Sequence, residues 1–177
     1  MTLEGEKMSK LLVNRKPFIV GIMGSHKGNP ATMKNAYRLG EGIARKGHVL
    51  LTGGGDGLMK AASEGAHRAG GLVIAILPSE RKFPLKGYPN EFVDIPIYTG
   101  MSDARNVINA KTPHLMVALS GGSGTLSEIA VALKSGTPVV GLHCPEFEIE
   151  EEGILIRVET VEEVLEEIDK FLKNKKT

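Results

Sequence analysis

A doubly wound α/β fold is what this sequence predicts: a mainly parallel sheet of about seven strands with helices on both faces. Two observations predict it. From residue 18 onward, short runs rich in β-branched residues alternate with longer stretches at helical spacing, the pattern of successive βαβ units with right-handed crossovers. Most of the short runs are near-continuously apolar rather than alternating, as strands buried on both faces are. A third observation narrows the class to a Rossmann-like one. Glycine is abundant, with 22 residues, and several cluster where strands are expected to end, the edge at which such sheets hold ligands.

The elements follow in order. The first strand is expected at 18–23 (FIVGIM), then a helix with the stripe Met33, Ala36, Tyr37, Gly40, Ile43 and Ala44. The second, 48–52 (HVLLT), precedes a helix striped with Leu58, Ala61, Ala62, Gly65 and Ala69, small residues that would allow close packing on a sheet. Strands at 72–77 (LVIAIL) and 94–98 (DIPIY) come next, then a shorter helix over about 103–111. The fifth strand, 114–119 (HLMVAL), leads to a helix beginning at Thr125 with Leu126, Ile129, Ala130 and Leu133 on one face. Val139–Leu142 and 154–158 complete the sheet. The last helix carries Val161, Val164, Leu165, Ile168, Phe171 and Leu172, and Thr160 with Glu163 gives it a capping box.

Length and composition set bounds. A chain of 177 residues fits one domain: residues 1–17 read as a charged arm, and 18–177 as a single Rossmann-like nucleotide-binding domain. The hydrophobic fraction of 41% and charged fraction of 24% are ordinary for a globular protein. A net charge of +1 advertises neither a nucleic-acid nor a membrane partner. No apolar run approaches the length of a membrane span, and the N-terminus lacks a signal core. Cys144 is the only cysteine, so no internal disulfide can form, and a reducing, cytoplasmic compartment is expected. Two polar loops, 78–91 with Arg81, Lys82 and Lys86, and 145–153 with five glutamates, read as solvated surface.

Three expected strand ends are glycine-rich: Met23-Gly24-Ser25-His26-Lys27-Gly28, Thr52-Gly53-Gly54-Gly55-Asp56-Gly57 and Ser120-Gly121-Gly122-Ser123-Gly124-Thr125. Without a Cβ the backbone can turn its N–H groups onto an anion. A following helix adds unpaired donors and the positive end of its dipole. Ser123 and Thr125 can add hydroxyl donors. No lysine follows Gly124 as a Walker A loop requires, and no glycine completes a dinucleotide fingerprint, so ordinary ATP or NAD chemistry is disfavoured.

Arg105, just after the fourth strand, and Glu128, in the first turn of the helix from Thr125, are expected to face the same cleft. Thr125-Leu126-Ser127-Glu128 also fits a capping box, and a cap and a functional carboxylate are compatible roles. His26 and Lys27 are candidate phosphate contacts or exposed loop residues. Asp56 reads as an N-cap for the following helix rather than a ligand contact. His143-Cys144 has no companions at zinc spacing, so no metal site is expected. His48, His67 and His114 read as structural.

The run Gly121-Gly122-Ser123-Gly124-Thr125-Leu126-Ser127-Glu128 resembles the GGxGTxxE signature of the LOG ("lonely guy") superfamily, once mislabelled lysine decarboxylases. Gly53-Gly54-Gly55 with Gly57-Leu58-Met59 and Gly70-Gly71 resembles its second block, and Met101-Ser102-Asp103-Ala104-Arg105 its arginine block. The resemblance spans about 18–142. Within the superfamily the chain is most similar to the molybdenum cofactor carrier-like branch, through Ile95-Pro96-Ile97-Tyr98-Thr99-Gly100, Ala104-Arg105-Asn106-Val107-Ile108 and Ala130-Val131-Ala132-Leu133-Lys134 leading to Pro138-Val139-Val140.

The resemblance implies a small phosphorylated ligand, with molybdenum cofactor or a nucleotide as the bound molecule and no cofactor required for catalysis. It implies ligand contacts at Gly24, Ser25, Gly53, Gly54, Gly55, Met101, Gly121, Gly122, Ser123, Gly124 and Thr125, and a homodimer or dimer of dimers. LOG enzymes cleave the N-glycosidic bond of nucleoside 5′-monophosphates, and in that role Glu128 would stabilise an oxocarbenium-like sugar and position water, with Arg105 orienting it or holding phosphate. Those hydrolases usually carry proline where this chain has Ser120 and lysine where it has Asn106. Three readings stay open: a carrier-like binding protein, a nucleoside-monophosphate phosphoribohydrolase, and a nucleotide sensor, the last disfavoured because no effector domain accompanies it.

Overall fold

The computed structural model describes residues 17–148 and 153–174. Residues 1–16 of the expected arm and 149–152 of the acidic loop lie outside them. All seven expected strands form: β1 Ile19–Met23, β2 Val49–Thr52, β3 Val73–Leu77, β4 Ile95–Tyr98, β5 Leu115–Ala118, β6 Val139–Leu142 and β7 Leu155–Val158. Six begin one residue later than the apolar runs suggest. The residues just outside still serve the ladder: Val49 N–H donates to Phe18 O at 2.9 Å, and Leu50 N–H to Leu72 O at 3.0 Å.

Every pairing is parallel, in the order β4-β3-β2-β1-β5-β6-β7. The chain moves outward from β1 to β4, crosses back, and moves outward the other way from β5 to β7. Because parallel crossovers keep one hand, that reversal puts helices on opposite faces. Helices α1 (Pro30–Arg45), α2 (Leu58–Arg68) and α5 (Val161–Asn174) cover one core, with Ile22, Leu50 and Val117 beneath Leu39, Leu58 and Val164. Helices α3 (Asn106–Lys111) and α4 (Ser123–Lys134) cover the other, with Met23, Leu51 and Met116 beneath Ala110 and Ile129. Adjacent residues of one strand, Leu50 and Leu51, thus feed different cores, which is why the runs are apolar throughout.

The structure refines two local expectations and corrects a third. The small-residue face of α2 packs closely on α1, not only on the sheet. A Cβ on Gly40 would collide with the Ala62 carbonyl, and one on Gly65 with the Tyr37 carbonyl, so each helix gives the other a glycine at the crossing. Asp56 does not cap α2; Gly57 holds that position with no side-chain cap bond, and Asp56 is exposed. The stretch over 103–111 is a 3-10 turn, Ser102–Arg105, running into α3. The capping box of α5 is present as expected: Glu163 N–H donates to Thr160 Oγ1 at 3.2 Å, and Thr160 N–H to Glu163 Oε2 at 3.0 Å.

Candidate functional site

The chain reverses its winding between β1 and β5, the switch point at which doubly wound sheets open a crevice. A cleft of about 520 Å³ opens there. Gly24, Ser25 and His26 line it from the loop after β1, and Gly122, Ser123, Gly124, Thr125, Ser127 and Glu128 from the start of α4. Asp103, Arg105 and Asn106 line it from the turn before α3, with Met59 of α2.

The wall at α4 follows from one displacement of the expected boundary. The helix begins at Ser123, two residues before Thr125, and its N-cap is Gly122. A glycine cap supplies no side-chain acceptor, and the first helical bond is Leu126 N–H to Gly122 O at 3.0 Å. The N–H groups of Ser123, Gly124 and Thr125 are the donors a helix start leaves without helical partners. A Cβ on Gly122 or Gly124 would meet nothing within 4 Å; both glycines border open space. Glu128 therefore lies in the second turn, not the first, and the capping-box reading of Thr125 and Glu128 is corrected.

Glu128 is 6% exposed and accepts a hydrogen bond from Asn109 Nδ2 at 2.9 Å. Burial pushes its carboxyl above the ordinary value of 4.5, against the Asn109 bond and the Arg105 charge, which pull it down. Arg105 is 7% exposed, and its Nη1 donates to Ile76 O at 3.1 Å. Its Nε is buried without a partner, as is Asn109 Oδ1, an unsatisfied state that costs free energy unless something else supplies the bond. Arg105 acts on Glu128 through space, its Nη1 bonding Ile76 O while Glu128 bonds Asn109. Ser102, at the start of the turn that delivers Arg105, takes a left-handed φ of 49°, a strain that native structures concentrate at functional positions.

The second glycine loop stands behind the cleft rather than on its wall. A Cβ on Gly53 would collide with the Arg105 guanidinium, and one on Gly55 would lie 2.7 Å from Tyr88 Cζ. Gly54 has a φ of +76° and faces Leu77 and Ala75. These glycines make room for side chains. Gly121 likewise makes room for the Thr125 hydroxyl, which a Cβ there would strike. Met101 is 46% exposed and does not line the cleft.

Of the other singled-out residues, His114 Nδ1 accepts from Ile19 N–H at 3.0 Å and His67 Nδ1 lies 3.2 Å from Asp94. Cys144 is buried with Arg157 Nη1 3.0 Å from its sulfur. Among the described residues no group of three or more His, Cys, Asp or Glu could hold a metal ion, and no helix is long and apolar enough to cross a membrane. Residues that sequence reasoning missed are Asn109, Met59 and Tyr88; Met59 lies in the Gly57-Leu58-Met59 block without having been singled out, and Asn109 and Tyr88 acquire their places only through tertiary contact.

Known proteins resemble this architecture over most of its length. The chain is similar to the molybdenum cofactor binding protein of Rippkaea orientalis, with 38% identity, a TM-score of 0.81, and coverage of 90% of this chain and 99% of that one. It is similar to the molybdenum cofactor carrier protein of Chlamydomonas reinhardtii, with 34% identity, a TM-score of 0.79, and coverage of 89% and 99%. A probable cytokinin riboside 5′-monophosphate phosphoribohydrolase of Arabidopsis thaliana is 30% identical over 129 residues, 71% of this chain and 63% of that protein. The model of the SLOG cluster4 family matches residues 17–168. The chain belongs to the SLOG cluster4 family and stands, within the LOG superfamily, with the molybdenum cofactor carrier branch.

Proposed function

We propose that the cleft holds a phosphorylated heterocycle, a pterin such as molybdenum cofactor or a nucleotide, by its phosphate, and that the chain serves as a carrier-like binding protein. One observation carries the reading: the uncapped N-terminus of α4 opens on the cleft with Gly122 and Gly124 bordering open space. An anion seated there accepts from backbone N–H groups and faces the positive end of the helix dipole. Ser25 and Ser123 add hydroxyls beside it, and the Arg105 side chain adds positive charge. Asn106, neutral where hydrolytic LOG enzymes usually carry lysine, donates to Ser127 Oγ at 3.3 Å, so that part of the cleft wall lacks a mobile cation. The similarity to the molybdenum cofactor binding protein of Rippkaea orientalis and the carrier protein of Chlamydomonas reinhardtii supports the carrier reading.

A second reading rests on Glu128. A buried carboxyl on the cleft wall, raised above its ordinary value by burial, suits proton exchange with a bound substrate, and its charged form would stabilise a positive sugar. Hydrolysis would place water against the anomeric carbon, break the N-glycosidic bond, and send the electron pair to the base.

One experiment separates the two. Chain purified from cells that make molybdenum cofactor is denatured and its contents are identified by mass spectrometry and pterin fluorescence, while native protein is incubated with AMP. The carrier reading expects a phosphorylated pterin or nucleotide in near-stoichiometric amount and no free adenine. Adenine release that Glu128→Ala abolishes would replace it with the hydrolase reading.

A further inference from the structure

We infer that Tyr88 contacts the flat heterocycle of the ligand and selects for it, at the end of the cleft away from the phosphate. The inference rests on the reading of α4 as the phosphate end. It begins with how Tyr88 is held. The loop 78–91 is pinned to the second glycine loop by Asn90, which is 4% exposed: its N–H donates to Gly54 O at 2.9 Å and its Nδ2 to Gly55 O at 3.0 Å. Two residues upstream, the Tyr88 ring lies on the Gly55 backbone, where a Cβ would come within 2.7 to 2.9 Å of Cζ, the hydroxyl and Cε1. The third glycine of that cluster is thus explained by an aromatic ring rather than by an anion.

From this seat, just behind the residues that line the cleft, Tyr88 reaches one of them. Its hydroxyl lies 3.1 Å from His26 Nε2 and 3.2 Å from Nδ1, and the two rings meet edge-on, 5.8 Å apart at 74°. His26 lines the cleft. Arg105, Asp56 and Glu128 all act on the phenol electrostatically, so it stands near the buried acid and guanidinium. Burial raises the phenol above its ordinary value of 10.0, which keeps the hydroxyl protonated and able to donate as well as accept.

Position decides which part of the ligand Tyr88 meets. Along the sheet edge the order is β2, β1, β5. Tyr88 packs over the loop after β2 and touches the loop after β1, whereas the α4 N-terminus follows β5. Two strand spacings separate them, about 10 Å, comparable to the reach from phosphate to ring in a nucleoside or pterin monophosphate. A half-buried phenol and an imidazole at that distance offer a π-face and hydrogen-bonding edges, the equipment with which proteins hold bases.

Binding of AMP and of ribose 5-phosphate, which share the phosphate but not the ring, is measured by calorimetry on the full chain, with adenine release followed in parallel. Tyr88→Ala is expected to weaken AMP by about five- to a hundredfold and leave ribose 5-phosphate within about twofold, with Tyr88→Phe intermediate for AMP. An unchanged AMP affinity in Tyr88→Ala overturns the assignment, and so does equal weakening of both ligands, which would mark Tyr88 as merely supporting the loop. His26→Ala gives a second handle: weakening confined to AMP supports the heterocycle end, and weakening confined to ribose 5-phosphate overturns it. If the wild type binds neither ligand, the phosphate reading itself fails and the inference falls with it.

Discussion

Glu128 sets the residue-scale account, because it is a carboxyl kept out of water without a direct cationic partner. Its native value lies above 4.5 because burial outweighs the Asn109 bond and the Arg105 charge. For an acid raised on folding, the stabilising contribution is complete below the unfolded value and is lost as pH rises through the native one. Glu128→Gln removes that dependence while its amide oxygen can still accept from Asn109. Thermal melts are expected to show wild type and Glu128→Gln alike near pH 4, and the variant more stable at pH 8 by about 1 kcal/mol, or about 2–4 °C. A variant that melts lower than wild type at pH 8 would mean the charged form is favoured by the fold. The same residue shows what a motif leaves unsaid. Its place on the cleft wall was legible from its position after the fifth strand, but its hydrogen-bond partner, Asn109 of α3, was not, since the motif over 104–108 stops short of Asn109 and does not say which way it faces.

At the scale of elements, the crossing of α1 and α2 turns on glycine at two contact points. In an exposed helix Gly→Ala stabilises by about 1 kcal/mol. At Gly40 the added Cβ meets the Ala62 carbonyl of the neighbouring helix, backbone that cannot swing aside, and overpacking of this kind costs about 1–3 kcal/mol. Gly40→Ala is therefore expected to lose about 1–2 kcal/mol in urea unfolding, opposite in sign to the propensity rule, and a gain would refute the tight crossing. The sequence showed an apolar small-residue face on α2 but not what it meets, because periodicity reports burial and leaves the partner open. The start of α4 escaped for a related reason. Its cap is Gly122, which carries no side-chain signal, so Thr125 with Glu128 offered a more familiar cap three residues downstream.

Over the whole molecule the strand pattern was legible almost to the residue, since parallel strands buried on both faces write themselves as continuous apolar runs. Strand order was not legible in those runs; the structure shows it to turn on one reversal between β1 and β5, and the reversal places the cleft. Less legible was the division of labour among the three glycine loops. Two line the cleft, while Gly53 and Gly55 leave space for Arg105 and Tyr88. A sequence shows that a Cβ is missing, and only packing shows whether a ligand or a side chain uses the room.

The central claim is that an anion sits on the uncapped start of α4, and calorimetric titration of AMP against adenosine tests it most directly. Wild type is expected to prefer AMP by at least about a hundredfold, the worth of a few charge-assisted hydrogen bonds. Gly124→Leu, whose side chain enters space now open, is expected to lose that preference while melting within about 2–4 °C of wild type. Equal affinity for AMP and adenosine in the wild type, or a preference undisturbed in Gly124→Leu, would contradict the account.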